Sequence, residues 1–221
     1  TDAMTSALTA GKDILCISFS SALSTTYQSA CIAAEDLRAE HPEAKIIVID
    51  SLSACRGQGM LIYRTVRERR EKNLDIEALA DFVRGTIQHQ DHWFMVDDLN
   101  HLKRGGRVSA AAALAGTVLG IKPVMHTDSE GKLTPVSKAR GSKGALRALV
   151  DKMEQNIGSY RSQKQPIFIS HGDCEEDAKY LAGLVKERFG YNECLINIIG
   201  PTIGAHAGPG TLALFFLGDV R

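Results

Sequence analysis

Apolar positions in this chain follow two rhythms that switch at short intervals. Residues 13–20 are apolar with near alternation after Gly11, Lys12 and Asp13, which predicts a buried strand. From about residue 25 the spacing lengthens through Ala30, Cys31, Ala33, Ala34 and Leu37, predicting a helix over 25–40 that His41 and Pro42 end. Residues 45–50 form a second apolar strand, after which Ser51, Ser53 and a Gly57–Gly59 turn lead into a helix reaching about residue 70. Two strand-turn-helix units in succession imply a parallel sheet with right-handed crossovers, whose ligands sit outside the carboxyl ends of the strands. Residues 1–10 read as the tail of a helix, and 75–88 as another.

The pattern changes in kind near His89, which places a boundary between an N-terminal α/β domain over 1–89 and a C-terminal α/β domain over 90–221. Residues 92–96 form a strand, and 97–108 read as a short capped helix stopped by Gly105 and Gly106. A helix over 109–119 is built from unusually small residues, which favours tight packing. Residues 122–136 predict a hairpin with Gly131 in its loop. Helix 142–158 lays Ala145, Leu146, Leu149, Val150, Met153 and Ile157 on one face that covers the sheet. Strand 166–171, helix 175–189 closed by Gly190, and strands 192–199 and 211–217 complete the second layer. The fold class is therefore α/β in two domains: a parallel Rossmann-like sheet flanked by helices, and a second mixed or antiparallel sheet with helices.

Two turns carry the candidate chemistry. The first gathers Ser18, Ser20, Ser21, Ser24, Thr25 and Thr26 at the join of strand and helix. Unpaired N–H groups and the helix dipole favour an anion there, and hydroxyls add neutral donors. One of Ser21, Ser24 or Thr25 would suffice as a helix cap, so capping and an anion seat both stay open. Asp50, at the end of its strand, either caps the following turn or orients a hydroxyl. The second turn, residues 199–210, sets His206 among four glycines and two prolines, a loop that aims an imidazole at a ligand or bonds within itself.

Composition narrows the field. The 221 residues suffice for a sizeable core, and the 26 Lys and Arg balance the 26 Asp and Glu, which gives no bulk field for nucleic acid or an anionic membrane. Arg64, Arg67, Arg69, Arg70 and Lys72 make one helix basic, read as a solvated face. The five cysteines are scattered without CxxC spacing and read as buried thiols of a reducing cytoplasm. No stretch reaches the roughly 20 apolar residues of a membrane span. No GxSxG elbow, HExxH, Walker loop, metal-ligand pair or GxGxxG fingerprint occurs, so the residues favour a binder over a catalyst, with no metal and no cofactor.

Five motifs occur in order along nearly the whole chain: SSALSTTYQSA at 20–30, VDDLNHLKRGGR at 96–107, GIKPV at 120–124, KAR at 138–140 and IGAHAGPG at 203–210. Together they resemble the DegV family of bacterial fatty acid-binding proteins. The resemblance implies a two-domain protein that buries a long-chain fatty acid between its domains. It also implies an acyl-carrying subunit of fatty acid kinase, which presents the carboxylate to an ATP-binding partner that makes acyl phosphate for phospholipid synthesis. Ser24 matches the family serine that bonds the carboxylate, with Ser21, Thr25 and Gly204 in the same two turns. His206 and Arg140 match residues near the head group.

Three departures from the family pattern bear on that expectation. The family's Ser-Gly-Thr is Ser24, Thr25 and Thr26 here, so a glycine is lost from the turn. The family's GAHTGPG has Ala207 in place of threonine. The family's N-terminal Asp-Ser strand end and Thr-Ser-Gln-Pro-Ser loop have no counterpart in this sequence, which begins at Thr1, and the carboxylate seat is expected to be half built without them. Two rivals remain: an acyl-transferase or hydrolase using Ser24 and His206, and a binder of a small phosphorylated metabolite.

Overall fold

The computed structural model describes residues 1–109 and 120–221, so all of the predicted small-residue helix but Ser109 lies outside the described residues. The described chain divides into two compact units: Thr1–Ala54 with Gln58–Gln88, and Cys55–Gly57 with His89–Arg221.

In the first unit, β1 (Ile14–Ser18) pairs in parallel with β2 (Ile46–Asp50). The alternation of β1 and β2 serves two helical layers. On one side Ile14, Ile46 and Val48 pack with Leu8 of α1 (Asp2–Thr9) and with Ala34 and Leu37 of α2 (Thr26–Glu40). On the other, Leu15, Ile17, Ile47 and Ile49 meet Leu61 of α3 (Cys55–Lys72) and Ala80 and Val83 of α4 (Ile76–Ile87). α4 starts at Asp75, whose carboxylate accepts from the Ala78 N–H and closes the first turn.

Six strands make the sheet of the second unit, in the order β5-β4-β3-β8-β6-β7. They are β3 (Gln90–Met95), β4 (Ile121–Thr127), β5 (Leu133–Arg140), β6 (Ile167–His171), β7 (Cys194–Ile198) and β8 (Leu212–Leu217). All neighbours run antiparallel except β6 and β7, which are parallel. β3 and β8 lie centrally and are buried along their whole length. α6 (Gly141–Asn156) and α7 (Glu175–Phe189) cover one face, burying Leu146, Leu149, Met153, Leu181 and Val185 with Trp93, Met95, Ile169 and Leu214. The predicted apolar stripe of α6 is the buried one in full. α5 (Leu99–Arg104) follows β3 and is capped by Asp98 through the Asn100 N–H.

Three local expectations need correction. Gly57 and Gly59 form no turn; both lie inside α3. A Cβ on Gly57 would stand 2.6 Å from His92 Nε2, so the glycine there is required by a neighbouring ring. Residues 199–210 are not an irregular loop throughout, because Pro201–Ala207 coil into α8 with Pro201 at its first turn, where the missing N–H costs nothing. The cysteines are half-buried free thiols rather than buried ones. Among the described residues no helix is long and apolar enough to cross a membrane.

Candidate functional site

The hydroxyl turn of the first unit is held by β2. Asp50 accepts from the Ser21 N–H with both oxygens, each at 3.2 Å, and from the Leu52 N–H at 3.0 Å. One carboxylate therefore ties the turn after β1 to the turn after β2 through backbone N–H groups, capping the following turn as its position suggested and orienting no hydroxyl among the described residues. Ser24 occupies the entrance to α2: its N–H donates to Ser20 O, and its Oγ accepts from the Thr26 N–H at 3.2 Å. Ser24 Oγ and Thr26 Oγ1 lie 2.7 Å apart. When Thr26 donates in that pair, the Ser24 hydroxyl proton is left for an outside acceptor, while its oxygen still caps the helix. Capping and anion binding are thus compatible at this residue.

Thr25 is the N-cap residue of α2 but makes no side-chain cap bond, and it is exposed. Its φ of −76° is ordinary right-handed backbone, so the threonine that replaces the family's glycine sits there without strain. Tyr27, in the first turn of α2, was not among the expected site residues. A bond to the Cys31 side chain, then burial, raises its phenol pKa, and burial followed by the nearby Cys31 raises that of the Cys16 thiol. Both groups stay protonated near neutrality and lend the turn no negative charge to oppose an anion.

The Gly-Pro turn of the second unit presents His206 on the last turn of α8. Gly204 is helical: its N–H donates to Gly200 O and its carbonyl accepts from the Gly208 N–H. It has open space where a Cβ would be, so its bare α-carbon, and not a free N–H, is what it can offer to a ligand. α8 packs on α5 through a reciprocal arrangement. The His206 ring lies against Gly105, where a Cβ would come within 3.2 Å of Cγ and closer still to Nδ1. The His101 ring lies against Gly208, where a Cβ would stand 2.6 Å from Cδ2. Each helix thus carries an imidazole seated on the other helix's terminal glycine. His101 Nδ1 lies 3.2 Å from Arg104 Nη2, and the Arg107 guanidinium donates to Gly105 O.

Arg107 and His206 consequently share Gly105 as a neighbour, a juxtaposition that spacing along the chain did not disclose. Its only signal was the GGR run at 105–107. Nearby, Lys122 Nζ pairs with Asp97 at 2.6 Å. Cys174, whose backbone N–H donates to His171 Nδ1, has its thiol pKa pushed up to about 11, chiefly by burial. Arg140 stands exposed at the end of β5, opposite Ile121, and no hydrogen bond from its side chain joins it to α5 or α8 among the described residues.

A cavity of about 620 Å³ opens in the first unit between β1, α3 and the start of α4. Leu15, Ile17, Ile62, Val66, Ile76 and Leu79 line it, none of them an expected site residue.

The model of a family described as "Uncharacterised protein, DegV family" matches residues 1–219. A DegV domain-containing protein of Clostridium perfringens is 42% identical over 211 residues, which are 96% of this chain and 72% of the relative. Among solved structures, the chain is similar to a DegV family protein from Eubacterium eligens loaded with heptadecanoic acid, with a TM-score of 0.86 and 25% identity over 94% of this chain and 74% of that one. It is also similar to a DegV family protein from Thermus thermophilus described for its fatty acid binding, with a TM-score of 0.84 and 27% identity over 98% of this chain and 75% of that one.

Proposed function

The chain belongs to the DegV family, and from that premise we propose that it binds a long-chain fatty acid, with Ser24 donating to the carboxylate. Ser21 and Thr25 flank that contact, and His206, Gly204 and Arg140 serve the head group. We further propose that it acts in the cytoplasm as the lipid-binding subunit of a fatty acid kinase, offering the carboxylate to an ATP-binding partner for acyl-phosphate formation. The observation that carries the reading is the match over residues 1–219 together with a similar fold in a protein loaded with heptadecanoic acid. The kinase step rests on the resemblance of the five motifs.

Energetics agree with a head group held by neutral donors. A chain of about fifteen buried methylenes contributes about 12 kcal/mol, so the tail supplies most of the affinity and the seat has only to orient the carboxylate. A small anion without a tail would need a cation, whereas the donors at the α2 entrance are hydroxyls. Within its own unit the Ser24 side chain is bonded to Thr26.

Solvent extraction of the purified protein followed by mass spectrometry tests the lipid. A fatty acid is expected, and recovery of a phosphate ester in its place refutes the reading. Ser24→Ala removes a hydrogen bond to a charged group worth about 1.5–3 kcal/mol, so affinity for an added fatty acid should fall roughly 10- to 100-fold. Unchanged affinity would remove Ser24 from the head-group seat even if a lipid is extracted.

A further inference from the structure

The two histidines of α5 and α8 are placed by glycines that differ in one respect. Gly208 has φ of +82°, a left-handed conformation that penalises any side chain whatever lies nearby. Gly105 has φ of −71° and ψ of −9°, where alanine is as comfortable as glycine. The backbone therefore gives no reason for a glycine at 105. What a Cβ would meet there is the His206 ring, with Nδ1 closer than real Cβ contacts come and Cγ at 3.2 Å; the His101 carbonyl, at 3.4 Å, is an ordinary contact. His206 makes no hydrogen bond among the described residues, and its ring packs against this α-carbon. The carbonyl of the same glycine accepts from the Arg107 guanidinium, so one residue serves both side chains.

We infer that Gly105 is a positioning residue for His206: its missing side chain is the seat that fixes the imidazole against the end of α5, in the orientation used at the acyl head group. The inference rests on the head-group role of His206 stated above and adds the residue through which that role is set. A methyl group at 105 forces the ring to turn or α8 to move, and leaves the backbone of α5 undisturbed.

The experiment uses the full chain with Gly105→Ala, His206→Ala, the double variant, and Gly144→Ala as a control. Gly144 lies within α6, where a Cβ would meet only Ala139 at 3.8 Å. Two readouts are taken: the His206 ring resonances through a pH titration, assigned by their loss in His206→Ala, and acyl-phosphate formation from an added fatty acid, ATP and the kinase partner. Gly105→Ala should shift the ring resonances and their titration midpoint and lower acyl-phosphate formation at least tenfold. The double variant should be no worse than His206→Ala, and Gly144→Ala should match wild type. Unmoved resonances in Gly105→Ala overturn the inference. So does full acyl-phosphate formation in that variant when His206→Ala is impaired, which leaves the head-group reading standing. Full activity of His206→Ala overturns the head-group role, and the inference with it. If Gly105→Ala does not fold, the double variant decides: recovery of folding supports the clash with the ring, and failure to recover refutes it.

Discussion

Asp91 makes the sharpest test of the packing in the second unit. It is fully buried on β3, and its Oδ1 accepts from Trp93 Nε1 at 3.0 Å, His126 Nε2 at 3.2 Å and Asn156 Nδ2 at 3.1 Å. Those donors come from β3, β4 and the end of α6, so one oxygen ties two strands to the helix that covers them. Asp91→Ala strands all three. A donor left buried without an acceptor costs about 1–3 kcal/mol; the Trp93 N–H is fully buried and the His126 and Asn156 donors are half-buried. Two effects offset part of the sum: water can enter the space left by the carboxylate, and the variant no longer buries an oxygen, Oδ2, that lacks a partner among the described residues. The expected net loss is about 3 kcal/mol. Trp93 is the single tryptophan of the chain and lies inside the cluster, so its fluorescence follows unfolding of this unit directly. With a urea slope of about 2 kcal/mol/M, the midpoint should fall by about 1.5 M. Asp91→Asn keeps one acceptor oxygen and should lose about half as much. A midpoint change under about 0.5 M in Asp91→Ala would show that the three bonds are not what joins α6 to this part of the sheet.

The buried ring of His92 yields two further predictions. Gly57→Ala places a Cβ 2.6 Å from His92 Nε2 and, as an overpacked core, should cost about 1–3 kcal/mol by urea unfolding; His92→Ala in the same background should recover a measurable part. Burial, reinforced by Arg221 and His126, holds the His92 pKa well below its usual value, so the folded state keeps the ring neutral while the unfolded chain binds a proton below about pH 6.5. The unfolded state then holds more protons, stability rises with pH through that region, and it falls on acidification by up to about 1.4 kcal/mol per unit. His92→Gln should flatten this slope between about pH 6.5 and 5 when folding is followed against pH. An unchanged slope would mean that another group carries the acid sensitivity.

Much of the fold was legible because periodicity and burial coincide where an element has one apolar face. The stripe of α6 and its end, Ala145 to Ile157, is buried residue for residue, and most of the strand and helix order of the second unit follows from the same signal, the short helix α8 excepted. Glycine misled the reading where it served packing rather than turning. Gly57 and Gly59 look like a loop in sequence, yet Gly57 is helical and small because His92, distant in the chain, occupies the space of its side chain. Gly204 has the same ambiguity inside α8. A glycine marks either a conformation that other residues avoid or a neighbour that stands too close, and only the second depends on tertiary structure.

That distinction also governs which departures from a family motif carry weight. Thr25 replaces a glycine, but its φ of −76° lies where any residue is at ease, so the substitution adds side-chain atoms to an exposed turn and leaves the Ser24 backbone where α2 needs it. Gly105 is the opposite case: its conformation is equally ordinary, yet the His206 ring occupies the place of its side chain. Two glycine positions with the same backbone freedom thus have different tolerance, decided by what lies 3–4 Å beyond the α-carbon. The turn before α2 tolerates threonine because that side chain is exposed, while the end of α5 holds its glycine because that space is the imidazole.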